Sequence, residues 1–164
     1  MSAKTAQENK TANVKADVTV NVSQKKAFEV FTQQYASWVP DGQYLSPQRP
    51  TAVVIEPKAG GRFFERAADG NESDWGRVRA FESPSRFVFG WHLNTNWQFV
   101  ADPNQASEVE VRFVPDGPNK TRVELEHRHF DRHGDGAEGL RAAVASEGGW
   151  PLTLQAFAKA CEEA

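Results

Sequence analysis

The chain has 164 residues, with 19 Lys and Arg against 22 Asp and Glu and a net charge of −3; this excludes the basic field that a non-specific nucleic-acid binder needs. A hydrophobic share of 39% beside 25% charged residues describes one ordinary globular domain, large enough to bury a core without staples. The single cysteine, Cys161, excludes an intrachain disulfide, and the five Trp and eleven Phe must either pack together or line a pocket.

Residues 1–13, MSAKTAQENKTAN, lack the apolar run of a signal peptide. They are expected to be a disordered tail ahead of a single domain over 14–164, in a cytoplasmic protein. No run reaches the length of a membrane span. VKADVTVNV (14–22) alternates apolar and polar residues and predicts a strand. Ser23 is placed to cap a helix whose apolar face is Ala27, Phe28, Val30 and Phe31. A break near Tyr35 and a turn through Trp38 lead to a loop over 41–50, marked by Gly42, Pro47 and Pro50. Its Tyr44 and Leu45 either gate a pocket or pack on a neighbour.

Strands are expected over 51–56, 61–66, 74–82, 86–93, 107–114 and 121–130, most of them bounded by Gly, Pro or Asp turns. Ser83-Pro84-Ser85 and PDGPNK (115–120) suit hairpins. In the last hairpin Val109, Val111, Phe113, Val123 and Leu125 share one face, and charges of both signs occupy the other. The same parity turns His127 and His129 inward. A helix-like stretch follows over 139–147, and Gly148-Gly149 interrupts it. Trp150, Leu154, Phe157 and Cys161 then form one helical stripe. The order is that of an α+β domain, a curved antiparallel sheet of about six or seven strands over a long C-terminal helix, with short helices after the first strand.

VELEHRHFDRHGDG (123–136) holds three of the four histidines within seven residues. His127 and His129 with His133 or Asp131 could complete a metal site. Against this stand the lack of a second cysteine and of HExxH spacing, so no metal and no cofactor are expected. A buried His127 is either a satisfied core residue or a polar contact for a ligand. Glu65 shares parity with Phe63; it either joins His127 as an acid–base pair or stays solvated at the rim, the reading preferred here. Phe87, Phe89 and Trp91 alternate on one strand, facing Trp150 and Phe157 from the helix.

AGGRF (59–63), WGRV (75–78), PSRFVFGW (84–91), TRVELEH (121–127) and GGW (148–150), in that order, resemble the helix-grip proteins of the START/SRPBCC superfamily, also called birch-pollen-allergen-like. The resemblance runs from Lys15 to Cys161 and is nearest to the branch of homologues of the activator of the heat-shock-protein-90 ATPase. It implies a sheet gripping the C-terminal helix around a hydrophobic cavity; relatives bind lipids, sterols or polyketides, and some are cyclases or aromatases. The co-chaperone that names the branch uses a further N-terminal domain for which this chain has no room, so its role is not carried over.

The expected function is binding of a small hydrophobic molecule, aromatic or acyl. Phe63, Phe87, Phe89, Trp91, Trp150 and Phe157 would supply walls, His127 the polar anchor beside His129, and Trp75 or Trp38 the mouth. One alternative is a cyclase- or hydrolase-like enzyme using His127 and Glu65. Another is a protein-interaction module using the outer sheet or the 41–50 loop. Oligomeric state is left open, a homodimer included; no nucleic-acid or membrane-spanning role is expected.

Overall fold

Period-two alternation becomes seven antiparallel strands in the computed structural model, which describes residues 11–164. They are β1 (Val14–Val20), β2 (Ala52–Ile55), β3 (Arg62–Arg66), β4 (Glu72–Glu82), β5 (Arg86–Trp91), β6 (Ser107–Pro115) and β7 (Thr121–Arg128), ordered β1-β7-β6-β5-β4-β3-β2. The meander from β2 to β7 follows the chain, and β1 adds to its far edge. Between β1 and β2 come α1 (Gln24–Gln33) and the short α2 (Tyr35–Trp38); α3 (Ala137–Ala145) and α4 (Trp150–Glu163) follow β7. This is the α+β helix-grip arrangement expected from the sequence. No helix among the described residues is long and apolar enough to cross a membrane.

Ser23 caps α1 as expected, its hydroxyl accepting from the Lys26 amide at 3.2 Å. Of the expected tail, Ala12 and Asn13 are tied down. The Ala12 carbonyl accepts from Arg141 Nε at 2.8 Å, and Asn13 Nδ2 donates to Glu126 at 3.0 Å. Residues 1–10 of that tail lie outside the described residues.

Register fixes the inner face. Val14 pairs with His127, His127 with Val109, Val109 with Phe89, and Phe89 with Val78. The neighbouring row runs from Ser107 through Trp91 and Gly76 to Phe63. Onto this face α4 lays the buried stripe Trp150, Leu154, Phe157 and Cys161, while α1 lays Phe28 and Phe31. The outer face carries ion pairs instead. Glu110 accepts from Arg86 at 2.6 Å and from Arg128 at 2.7 Å, and Arg128 also meets Glu108 at 2.7 Å. Arg122 bridges Glu124 and Asp17 at 2.9 and 3.2 Å. Trp97, Val114 and Leu152 are the large apolar residues left exposed among those described. An outer face so charged argues against the outer-sheet form of the interaction-module reading.

β7 is shorter than expected, and this overturns one placement. The strand ends at Arg128, and His129 adopts φ 66, ψ 37, a left-handed turn into a 3-10 stretch over Phe130–Gly136. Side-chain parity holds only while the strand lasts. His129 is therefore exposed, and Phe130 takes the inward position, fully buried against His127 at a ring separation of 4.2 Å.

Candidate functional site

Sheet, helices and the 41–50 loop enclose a cavity of about 470 Å³. Phe63, Trp75, Phe89 and Trp91 line it from the sheet, and Tyr35 and Trp150 from the helices. Phe63, Phe89, Trp91 and Trp150, expected as walls, line this cavity, and Trp75, expected near the mouth, lines it from the sheet. Phe87 and Phe157, also expected as walls, do not. Phe87 stacks on Phe89 at 5.4 Å, and Phe157 meets Phe31 and Trp38 at 5.3 and 5.6 Å, so both fill core. Trp38 is also core, its indole donating to the Val30 carbonyl at 2.9 Å. The mouth belongs to Trp97, which the sequence reading passed over. Asn94 Oδ1 accepts from the amides of Asn96 and Gln98, and the tight turn holds Trp97 at φ 59 with 51% of its surface exposed.

Glu65 is fully buried, not solvated at the rim as expected. Oε1 accepts from the Leu45 amide at 2.5 Å and from Trp75 Nε1 at 2.8 Å; Oε2 accepts from the Ser46 amide at 3.0 Å and from the Ser46 hydroxyl. Four donors around one carboxylate compensate its burial. The result is a buried anchor for the 41–50 loop over the cavity. Two further ties hold that loop. Gln43 Nε2 donates to the Gly148 carbonyl at 2.8 Å while its Oε1 accepts from Thr153 at 2.7 Å. Arg49 donates to the carbonyls of Ala36 and Val39 at 3.0 and 2.8 Å.

His127 is a satisfied core histidine. Trp150 Nε1 donates to its Nδ1 at 3.1 Å, which leaves the ring proton on Nε2, facing the Ser107 hydroxyl at 2.7 Å. The Ser107 hydroxyl in turn meets His133 Nε2 at 2.7 Å, and the Ser107 amide donates to the same nitrogen at 3.2 Å. Burial, with His133 adding to it, holds His127 well below the ordinary histidine range. His127 does not line the cavity; it packs behind Trp91 and Trp150, at ring separations of 5.3 and 5.9 Å. Its contribution there is to fix Trp150.

The acid–base pairing is not assembled. β3 and β7 are four strand spacings apart, roughly 19 Å along the sheet at ~4.8 Å each, and both side chains are fully engaged elsewhere. Among the described residues no group of three or more His, Cys, Asp or Glu is placed to hold a metal ion. Cys161 is buried, and burial pushes its thiol up to about 12, far from a nucleophile's range.

Tyr35 was also missed as a site residue. It begins α2, and its ring is caged by Trp38, Phe63, Phe31 and Trp75 at 4.3, 5.6, 5.7 and 5.7 Å. Burial pushes its hydroxyl above the ordinary phenol range, so it stays protonated.

A curved sheet gripping a C-terminal helix around an aromatic-walled cavity defines a helix-grip protein. The chain belongs to the activator of Hsp90 ATPase homolog 1-like family, whose model matches residues 21–162. Among solved structures it is similar to an anthrahydroquino-gamma-pyrone synthase, Txn09, complexed with SUM. The two share 40% identity over 90% of this chain and 95% of that one, with a TM-score of 0.65. It is also similar to CalC, a self-sacrificing resistance protein from Micromonospora echinospora, at 32% identity over 94% and 97% of the two chains and a TM-score of 0.69. Protein NE0264 from Nitrosomonas europaea shares the fold at 16% identity, with a TM-score of 0.66 over 92% of this chain and 94% of that one. No curated protein matches.

Proposed function

We propose that the protein binds a flat, fused-ring aromatic molecule of the anthraquinone class in the cavity between sheet and C-terminal helix. One observation carries this reading: eight of the eighteen residues lining the cavity are Trp, Tyr or Phe. Rings prefer offset or edge-to-face contact with other rings, so such walls favour a planar aromatic guest over a flexible acyl chain. A volume of about 470 Å³ falls within the ~300–1,000 Å³ of small-molecule sites. The synthase at 40% identity, named for an anthrahydroquinone fused to a pyrone, supports the same ligand class.

That relative, a synthase by name, also favours a second reading, in which the bound molecule is chemically transformed. Such chemistry would not use His127 and Glu65 together, because each is committed to separate partners. It would rest on the shape of the cavity and on Tyr35.

Titration with anthraquinone-2-sulfonate, followed by quenching of tryptophan fluorescence, tests the binding reading, with dodecanoate as the acyl comparison. Saturable binding of the quinone at one site is expected, because Trp75, Trp91, Trp97 and Trp150 surround it. Absence of saturation, or tighter binding of dodecanoate, would overturn the reading.

A further inference from the structure

We propose that Tyr35 is a specificity-determining residue: its hydroxyl donates a hydrogen bond to a carbonyl oxygen on the edge of the fused rings, so the site selects quinones and pyrones over plain aromatic hydrocarbons. The inference rests on the aromatic-ligand reading and goes beyond it by naming the functional group that is recognised.

The polar groups of the wall lead to this residue by their commitments. Trp75 donates to Glu65, Trp91 to the Leu93 carbonyl and Trp150 to His127, at 2.8, 3.0 and 3.1 Å. Gln43 and Thr153 satisfy each other at 2.7 Å. At the periphery Tyr44 donates to Asp41 at 3.0 Å and Ser146 to the Ala143 carbonyl at 2.6 Å. Trp97 faces solvent. Tyr35 remains: it lines the cavity, it is 6% exposed, and its hydroxyl has no hydrogen-bond partner among the described residues. Among the described residues the sealed side-chain atoms left without a partner belong to Arg79 and His92; the Tyr35 hydroxyl, unpaired but not sealed off, keeps access to the cavity, where it can pair first with water and then with a ligand oxygen.

The geometry suits recognition. The ring is fixed by four aromatic neighbours at 4.3–5.7 Å, so the hydroxyl is presented with little freedom to lose. Burial is the whole cause of its raised pKa; no charged side chain acts on it, and it serves as a neutral donor. A fixed donor inside the wall, where the other inner polar groups are committed to partners, discriminates against an analogue lacking the acceptor, because binding that analogue displaces water and leaves the donor unpaired.

The test pairs two probes of matched shape, anthraquinone-2-sulfonate and anthracene-2-sulfonate, which differ in the ring carbonyls. Wild-type protein is expected to prefer the quinone, and Tyr35→Phe to lower that preference roughly three- to tenfold, the worth of one neutral hydrogen bond. The thermal midpoint of the free variant should stay at the wild-type value or rise, since no internal bond is lost, so folding does not confound the comparison. An unchanged ratio of the two affinities in Tyr35→Phe would overturn the role of Tyr35 while leaving the cavity a binding site. Failure of both probes to bind wild-type protein would instead remove the aromatic-ligand reading, and this inference with it.

Discussion

Replacing Glu65 by Gln is expected to release the 41–50 loop from the cavity without unfolding the sheet. In the wild type Oε1 serves the Leu45 amide and the Trp75 indole, and Oε2 serves the Ser46 amide and hydroxyl. Glutamine keeps one oxygen. With its amide nitrogen turned toward Ser46, the hydroxyl can rotate and accept, but the Ser46 amide then faces another donor. Turned the other way, Leu45 and Trp75 both lose their acceptor. The cheaper orientation still forfeits one charge-assisted bond, about 1.5–3 kcal/mol, and weakens the others from charged to neutral. A total of about 3 kcal/mol corresponds to roughly a hundredfold change in an opening equilibrium. Amide hydrogen exchange reads it directly: Leu45 and Ser46 should lose protection by about that factor, while Val109, paired inside the sheet, keeps its own. Protection at Leu45 and Ser46 within about threefold of wild type would refute the anchoring role. An equal loss at Val109 would show that Glu65 supports the whole fold and not the loop.

Three further outcomes are expected. Burial is the first cause holding His127, His92 and His133 below the ordinary histidine range. The folded protein thus resists protons that the unfolded chain takes up below pH about 6.5, and stability present above that pH is lost as pH falls through the window beneath it. In denaturant titrations, His127→Gln should remove about one proton from this dependence, a slope of roughly 1.4 kcal/mol per pH unit; an unaltered slope would mean that His127 titrates normally. Trp97→Ala should weaken binding of anthraquinone-2-sulfonate while changing folding stability by less than about 0.5 kcal/mol, as for an exposed side chain. Trp150→Ala should cost about 3–5 kcal/mol as well as binding, and equal thermal midpoints for the two variants would contradict their assigned places. At the α3–α4 corner, a Cβ on Gly149 would lie 2.2 Å from the Val144 carbonyl oxygen, whereas one on Gly148 meets nothing within 4 Å. Gly149→Ala is accordingly expected to destabilise by about 1–3 kcal/mol and Gly148→Ala by far less, and the reverse order in thermal unfolding would refute this account of the double glycine.

The sheet and the C-terminal stripe were legible in the sequence because each is a periodic pattern that packing must respect. Val109, Val111, Phe113, Val123 and Leu125 are all buried, as are Trp150, Leu154, Phe157 and Cys161. The site was less legible, for reasons that differ by residue. His129 was misplaced because no pattern announces that a strand stops two residues early. Glu65 was misplaced because most of its partners come from Leu45 and Ser46, about twenty positions away, and two of its four donors are backbone amides, which every residue carries and no motif displays. Phe87 and Phe89 share a face and a strand, yet only Phe89 reaches the cavity; parity gives the side of a sheet and says nothing about where along it packing ends. Tyr35 had a signal in its position at the end of an apolar helical face. Its use depends on the hydroxyl having no partner, a property of the assembled wall.

The wall also explains why a void persists in a domain otherwise filled with rings. At about 24 cal/mol per Å³, a sealed and empty cavity of about 470 Å³ would cost on the order of 11 kcal/mol, comparable to the ~5–15 kcal/mol net stability of a whole domain. Collapse would recover much of that. At the other end of the same interior, collapse is complete: Phe28, Phe31, Phe113 and Phe157 pack edge to face at 5.1–5.8 Å. The cavity end differs in its side chains' polar handles. Trp75, Trp91 and Trp150 each donate an indole hydrogen bond outward, to Glu65, to the Leu93 carbonyl and to His127. A ring that fell into the void would leave that acceptor unpaired, at about 1–3 kcal/mol apiece. Pinned rings make pre-organised walls, so a guest gains contact without the cost of ordering them. Trp97 is the exception: half exposed, with no partner for its indole nitrogen among the described residues, it is the part of the wall free to move onto whatever occupies the mouth.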